Sequence, residues 1–342
     1  MPDILLEPYV EALDEFPITG TAAQQLRAAV RYAVRAPSSH NSQPWRFRIM
    51  GETLELRADR TRALPVIDPD DRELIISCGA ALFHLGVVLR HYGNMPRIER
   101  LPDASDPDLL ARVHLGEARE HTAEDEALFH AIPARRTFRR HFADRCLPEG
   151  LGSTLEVAAR AEGAWLQVFR TKEARHALTD LVAEADRLLM SDKRVRRELA
   201  LWLRPNRGRR RDGIPGYALG LGALKAAVGP VVVRMFDAGR GQAARDRQLV
   251  ADAPMLALLG TARDTRFHWL VAGEAVAHVL LRAQVSGIAA SFLNQPIEVP
   301  ELRTRLQTLA GRDGFPQMLL RLGYGHSRRA TPRRPVAEVV EA

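Results

Sequence analysis

The chain has 342 residues, 46% of them hydrophobic, which is enough for one large or two ordinary domains with a packed core and excludes overall disorder. Its 49 positive against 42 negative side chains include only three lysines, Lys172, Lys193 and Lys225, and with no zinc finger, RNP-like aromatic strand or basic region leading into heptads it does not read as a nucleic-acid binder. Cys78 and Cys146 form neither a disulfide framework nor a CxxC pair, so reduced thiols and a cytoplasmic setting are expected.

Residues Met1 to Phe16 lack the basic start and apolar run of a signal peptide. Thr21 and Gln24 have capping-box spacing, and Leu26, Ala29, Val30, Ala33 and Val34 then recur at helical period until Pro37 stops the run. Trp45, Phe47 and Ile49 alternate with Arg46 and Arg48, Gly51-Glu52 supplies a turn, and Leu54 and Leu56 alternate with Glu55 and Arg57, which predicts a hairpin or neighbouring strands. Leu74 to Tyr92 is apolar on nearly every side, the pattern of a central helix buried on all faces.

A shift of 194 residues lays Asp70, Arg72, Gly79, Ala81, His84 and Gly93 on Asp264, Arg266, Gly273, Ala275, His278 and Gly287, six identities without a gap. The earlier elements pair at a shift of 121, the helix before Pro37 with Leu151 to Ala161 and the strand at Trp45 with that at Leu166. The chain therefore reads as two halves, 1–130 and 131–342, the second carrying roughly 73 additional residues at about 171–247. That segment predicts a charged helix from Arg175 to Leu203, an arginine-rich turn, Asp212-Gly-Ile-Pro215, a glycine-rich apolar stretch and a strand-like Val231-Val-Val-Arg234. Arg204, Arg207, Arg209, Arg210 and Arg211 read as a phosphate patch or, more commonly for such a run, a solvated loop. The apolar stretch from Ile214 to Phe236 is broken by Lys225 and Arg234, so no membrane span is expected.

Four strings stand out from this frame. Ala36-Pro-Ser-Ser-His-Asn-Ser-Gln-Pro-Trp45 sits between the first helix and first strand: Pro37 ends the helix, Ser38 and Ser39 are small hydroxyl residues, and Asn41 and Gln43 offer paired donors and acceptors. The bland alternative is a polar helix-to-strand turn. Arg135-Arg-Thr-Phe-Arg-Arg-His-Phe142 carries guanidinium forks suited to a phosphate dianion, with Thr137 as a neutral donor; the alternative is a solvated basic face. Ser286 to Glu298 follows the second central helix and contains Asn294-Gln295-Pro, and Leu322-Gly-Tyr-Gly precedes Pro332-Arg-Arg-Pro335.

The first string resembles the APSxxNxQPW signature of the flavin-dependent nitroreductase superfamily, and the second resembles its RRSxRxF phosphate arm. Ser286 to Glu298 resembles, less closely, the segment along the flavin ring edge, its usual Pro-x-Glu-Gly being replaced here, and the last string resembles the C-terminal strand and tail. The family's order is reversed: the phosphate arm follows the APSxxN-like loop, and each half keeps only one part of a flavin site. Order, repeat and additional segment are similar to the Acg-type branch over nearly the whole chain. The resemblance implies an α+β nitroreductase fold of two fused halves mimicking a dimer, with the additional segment, Asp212-Gly-Ile-Pro215 and Trp202 foremost, as a lid. It implies one FMN held by Pro37, Ser38, Ser39, Asn41, Gln43, Arg135, Arg136, Thr137, Arg139, Asn294, Gln295, Arg333 and Arg334, and no metal. The expected activity is NAD(P)H-dependent reduction of small nitroaromatic or quinone-like acceptors by a cytoplasmic monomer containing an intramolecular pseudo-dimer. The alternatives are flavin binding or storage under a blocking lid, and, less well supported, a redox-linked ring-modifying enzyme. No GxGxxG, Walker A, HExxH or nucleophile elbow competes, and His84 and His278 on apolar helices read as core histidines.

Overall fold

The computed structural model describes residues 15–235, 239–326 and 329–341, and the readings of Met1 to Asp14 and of Phe236 lie outside them. Helix α1 (Ala22–Ala33) starts on the expected box, the Thr21 hydroxyl accepting from the Gln24 amide and the Gln24 side chain from that of Thr21. Strands β1 (Trp45–Met50) and β2 (Thr53–Ala58) pair antiparallel as a hairpin. Central helix α2 (Arg72–His91) follows, then β3 (Arg97–Arg100), β4 (Leu109–His114) and α3 (Ala123–Ala134).

Helix α4 (Leu151–Ala161) and β5 (Trp165–Phe169) begin a second sheet, which resumes only at β8 (Met255–Thr261). Between them lie α5 (Lys172–Ser191), α6 (Lys193–Trp202), the short pair β6 (Leu203–Arg204) and β7 (Ile214–Pro215), α7 (Ala223–Met235) and α8 (Gly239–Ala251). Two expectations fail there. The charged helix is broken by Asp192, whose carboxylate caps a new helix by accepting from the Arg194 amide at 2.7 Å. Val231-Val-Val-Arg234 is helical, continuing α7 in spite of its β-branched preference.

The second central helix α9 (Arg266–Val285), β9 (Ala289–Phe292), α10 (Gln295–Glu298), α11 (Pro300–Ala310), β10 (Phe315–Gly323), α12 (Val336–Val339) and β11 (Val340–Glu341) complete the chain. The sheets run β11-β1-β2-β4-β3 and β5-β8-β10-β9. Apart from the C-terminal strand β11, which joins the first sheet parallel to β1, order and antiparallel pairing are the same in both. This is an α+β nitroreductase-like fold in which two fused halves mimic a dimer.

Helices α2 and α9 cross at equivalent glycines. A Cβ on Gly79 would lie 2.2 Å from the Leu270 carbonyl oxygen, and one on Gly273 would lie 2.1 Å from that of Ile76. Those two oxygens are themselves 194 residues apart, so the crossing is isologous. The apolar core of the first sheet takes in Leu270, Ala277 and Leu281 of α9, while that of the second takes in Ile76 of α2. By length and composition α2 is apolar enough to cross a membrane, but it is buried in the centre of the protein.

Candidate functional site

A cavity of about 470 Å³ lies between the halves, bounded by the loop after α1, the start of α2, the arginine string, α10, the C-terminal tail and the additional segment. It falls within the size range of small-molecule and cofactor sites. The loop is held in an uncommon shape: His40, Asn41 and Gln43 have φ of 52°, 55° and 53°, a left-handed conformation that costs non-glycine residues energy and persists only where surroundings enforce it. The enforcing contacts are visible. Ser39 Oγ donates to Glu73 at 2.5 Å, Ser38 Oγ accepts from the Gln43 amide at 3.0 Å, and Asn41 Nδ2 donates to the Gly213 carbonyl at 2.9 Å while its Oδ1 accepts from Arg333 at 3.0 Å. Burial pushes His40 down to about 4, so its ring is neutral at pH 7.

The arginine string enters along the edge of the second sheet. Thr137 bridges Ala290 in parallel, the Phe138 amide donates to the Ala290 carbonyl at 2.8 Å, and the fully buried Arg321 donates to the Phe138 and Arg140 carbonyls at 3.0 and 2.9 Å. Arg135, Arg136, Thr137 and Arg139 thereby face the cavity beside Arg35, Arg329 and Arg333. Burial, aggravated by Arg136 and Arg139, pushes Arg135 down to about 9; burial with Arg135 and Arg136 does the same to Arg333, and burial alone pushes Arg139 to about 10. The Nε atoms of Arg135, Arg136, Arg329 and Arg333 find no hydrogen-bond acceptor among the described residues. Guanidinium groups crowded out of water and repelling one another are suited to a multiply charged anion with several acceptors.

Elsewhere the wall is acidic and apolar. Glu73, Asp186 and Glu298 line it with Asn294 and Gln295, while Leu189, Met190, Val195, Leu199, Ile214 and Tyr217 bring the additional segment over the cavity. That segment is latched to the loop. Gly213 exchanges hydrogen bonds with Asn41, Gln43 Nε2 donates to the Arg211 carbonyl at 2.8 Å, and Asp212 pairs with Arg62 at 2.6 Å and Arg204 at 2.9 Å.

Of the residues singled out from sequence, Pro37, Ser38, Ser39, Asn41, Arg135, Arg136, Thr137, Arg139, Asn294, Gln295 and Arg333 line this one cavity. Gln43 and Arg334 stand behind its wall: the Arg334 amide donates to Gln43 Oε1 at 2.8 Å and the Arg334 guanidinium to the Gln43 carbonyl at 3.1 Å, tying the loop to the tail. Trp202 packs beneath Arg62 and Arg204 instead of facing the cavity, and Arg207, Arg209 and Arg210 are exposed, as the solvated-loop reading has it. His84 and His278 are buried helix residues, the latter paired with Glu162 at 2.9 Å. The sequence reading missed Arg35, Glu73, Asp186, Glu298, Arg321 and Arg329. Only Glu73 left a signal, as an acid within a helix apolar on every face.

No family model matches the chain. Two curated proteins of Mycobacterium tuberculosis (strain ATCC 25618 / H37Rv) are similar over nearly their full length. One, provisionally named NAD(P)H nitroreductase Rv3131, is 37% identical over 330 residues, 93% of this chain and 92% of its own. The other, provisionally named NAD(P)H nitroreductase acg, is 30% identical over 337 residues, 94% of this chain and 97% of its own. Among solved structures, the FMN and NADPH-dependent nitroreductase NfnB from sphigopyxis sp. strain HMH is 20% identical, with a TM-score of 0.43 over 63% of this chain and 98% of that one.

Proposed function

This chain belongs to the nitroreductase-like family, in its Acg-type branch, and we propose that it binds one FMN and uses NAD(P)H to reduce small nitroaromatic or quinone-like acceptors. The observation that carries this reading is the buried arginine cluster, whose Nε atoms lack acceptors inside a cavity of about 470 Å³. A terminal phosphate fits it: Arg135, Arg136, Arg139, Arg329 and Arg333 supply charge and forked donors, and Thr137 a neutral donor. Ser38, Ser39 and Asn41 on one side and Asn294 and Gln295 on the other would flank the ring, the strained loop backbone standing close because its side chains are small. When bound, the flavin supplies hydride transfer, and the protein supplies binding, orientation and exclusion of water. His40, neutral at pH 7, adds no charge beside the strained loop.

In the same reading the halves divide near residues 130 and 131, descend from an internal duplication and form a cytoplasmic monomer with one complete site. Purified protein should be yellow and release FMN, not FAD, at one per chain, and anaerobic NAD(P)H titration should bleach it. Failure to retain FMN after reconstitution would reject the assignment, and two flavins per chain would reject the single site. A second reading, flavin binding or storage with little turnover, is favoured by the latch of Arg211, Asp212 and Gly213 over the loop.

A further inference from the structure

The wall opposite in character to the arginine cluster holds acceptors without donors. Asp186, 1% exposed on the inner face of α5, and Gln295 at the start of α10 both line the cavity. Gln295 Nε2 donates to Asp186 and to Asp246 of α8, at 3.2 Å each. That leaves Asp186 Oδ2 and Gln295 Oε1 buried with no N–H donor among the described residues; Asp186 lies within hydrogen-bonding reach of the Asp246 carboxyl, and burial together with that neighbour pushes it up to about 8. Glu298, one turn further along α10, lines the same region, and Glu73 beside it already accepts from Ser39 and pairs with Arg72. The groups acting on Glu298 after burial itself are mainly the carboxylates Glu73, Asp68 and Asp186 against the single guanidinium of Arg72, and its proton is held well above the ordinary range. Buried acceptors of this kind call for a donor, and a charged one is worth most. A metal ion does not answer, because among the described residues no three His, Cys, Asp or Glu side chains converge to hold one. An organic cation with several N–H donors does, and the neighbouring Leu189, Met190, Val195 and Leu199 suit an apolar body attached to it.

We propose that this wall is a subsite for a primary ammonium group, Asp186 and Glu298 providing charge and Gln295 Oε1 a neutral acceptor, so that the acceptor reduced here is a small nitroaromatic or quinone-like molecule that also carries an alkylammonium group. The proposal rests on the oxidoreductase reading for the identity of that ligand as substrate, but the subsite itself is testable by binding alone. Calorimetry on the purified full chain would compare 2-(4-nitrophenyl)ethylammonium with 2-(4-nitrophenyl)ethanol and 4-nitrophenylacetate. The ammonium should bind about tenfold or more tightly than the alcohol, with the carboxylate weakest. Asp186→Asn and Glu298→Gln should each reduce that ratio toward one while leaving alcohol affinity within about twofold. Equal affinities for ammonium and alcohol, or a preference that survives both substitutions, would overturn the subsite. Flavin content of the same samples separates the two ideas: a colourless protein with the ammonium preference rejects the flavin reading alone, and a flavin-loaded protein without it rejects the subsite alone.

Discussion

Arg135 and Arg136 show how one side chain can be costly for the empty fold and valuable for the loaded one. Each is withdrawn from water among like charges, and each keeps an Nε without an acceptor. Replacing Arg136 by Ala removes charge-assisted hydrogen bonds of about 1.5–3 kcal/mol, so FMN affinity should fall roughly tenfold or more. Fluorescence titration would measure it, and unchanged affinity in the Arg135/Arg136/Arg139 triple alanine variant would remove the phosphate assignment. Asp264 is the converse case, an acid stabilised by what it touches. Burial favours its neutral form, but bidentate Arg303 at 2.7 and 2.9 Å, Gln317 at 3.0 Å and Trp269 Nε1 at 2.6 Å outweigh burial and hold the carboxyl down at about 2. Its folded value lies below the unfolded 3.8, so its contribution is complete above that pH and is lost as pH falls through 3.8 towards 2. Asp264→Asn should therefore cost about 2 kcal/mol at pH 7. The difference in melting temperature between the two proteins should shrink from pH 5 to pH 2, and a constant difference would contradict this account.

At the scale of elements, the crossing of α2 and α9 is the joint on which the fused halves depend. Alanine at Gly79 or Gly273 would drive a methyl onto a backbone oxygen that cannot rotate away, so each substitution should destabilise by at least about 1–3 kcal/mol. Because both distort one interface, the double variant should lose less than the sum, which denaturant titration of the four proteins would test. The sequence displayed this joint through the 194-residue repeat, just as it displayed α1 through a capping box and β1–β2 through alternation closed by Gly51-Glu52. Each of those signals is local or exactly periodic. Within the additional segment the local signal misled. Val231 to Arg234 has strand-forming side chains, yet it continues α7, which packs against α6 and joins no sheet. The break at Asp192 was readable in principle, since Ser191-Asp192 is a helix-capping pair, but helix-forming charged residues on both sides mask it.

At the scale of the whole molecule, contiguous motifs announced the loop, the arginine string and the tail, whereas the acidic wall was silent because Glu73, Asp186 and Glu298 come from elements more than a hundred residues apart. The covering segment was legible as extra length and illegible as a latch, since Gly213 meets Asn41 and Asp212 meets Arg62 only after folding. That latch sets the last prediction. An acceptor must reach the flavin for transfer, and a cover that stays closed would make turnover slow. Asp212 ties the cover to Arg62 through a partly buried ion pair and braces the cover itself through a second with Arg204, both outside the residues assigned to phosphate and ring. Breaking a partly buried pair costs more than breaking an exposed one, so Asp212→Ala should open the cover more often without discharging the cofactor. Nitroaromatic-dependent NAD(P)H oxidation should rise several-fold in the variant at unchanged flavin content, and proteolysis between residues 203 and 216 should quicken in parallel. If proteolysis quickens while oxidation does not, the cover moves but does not limit the reaction. If the intact protein already turns over near the 10 s⁻¹ typical of enzymes, the storage reading is rejected and the latch is a structural fastening only.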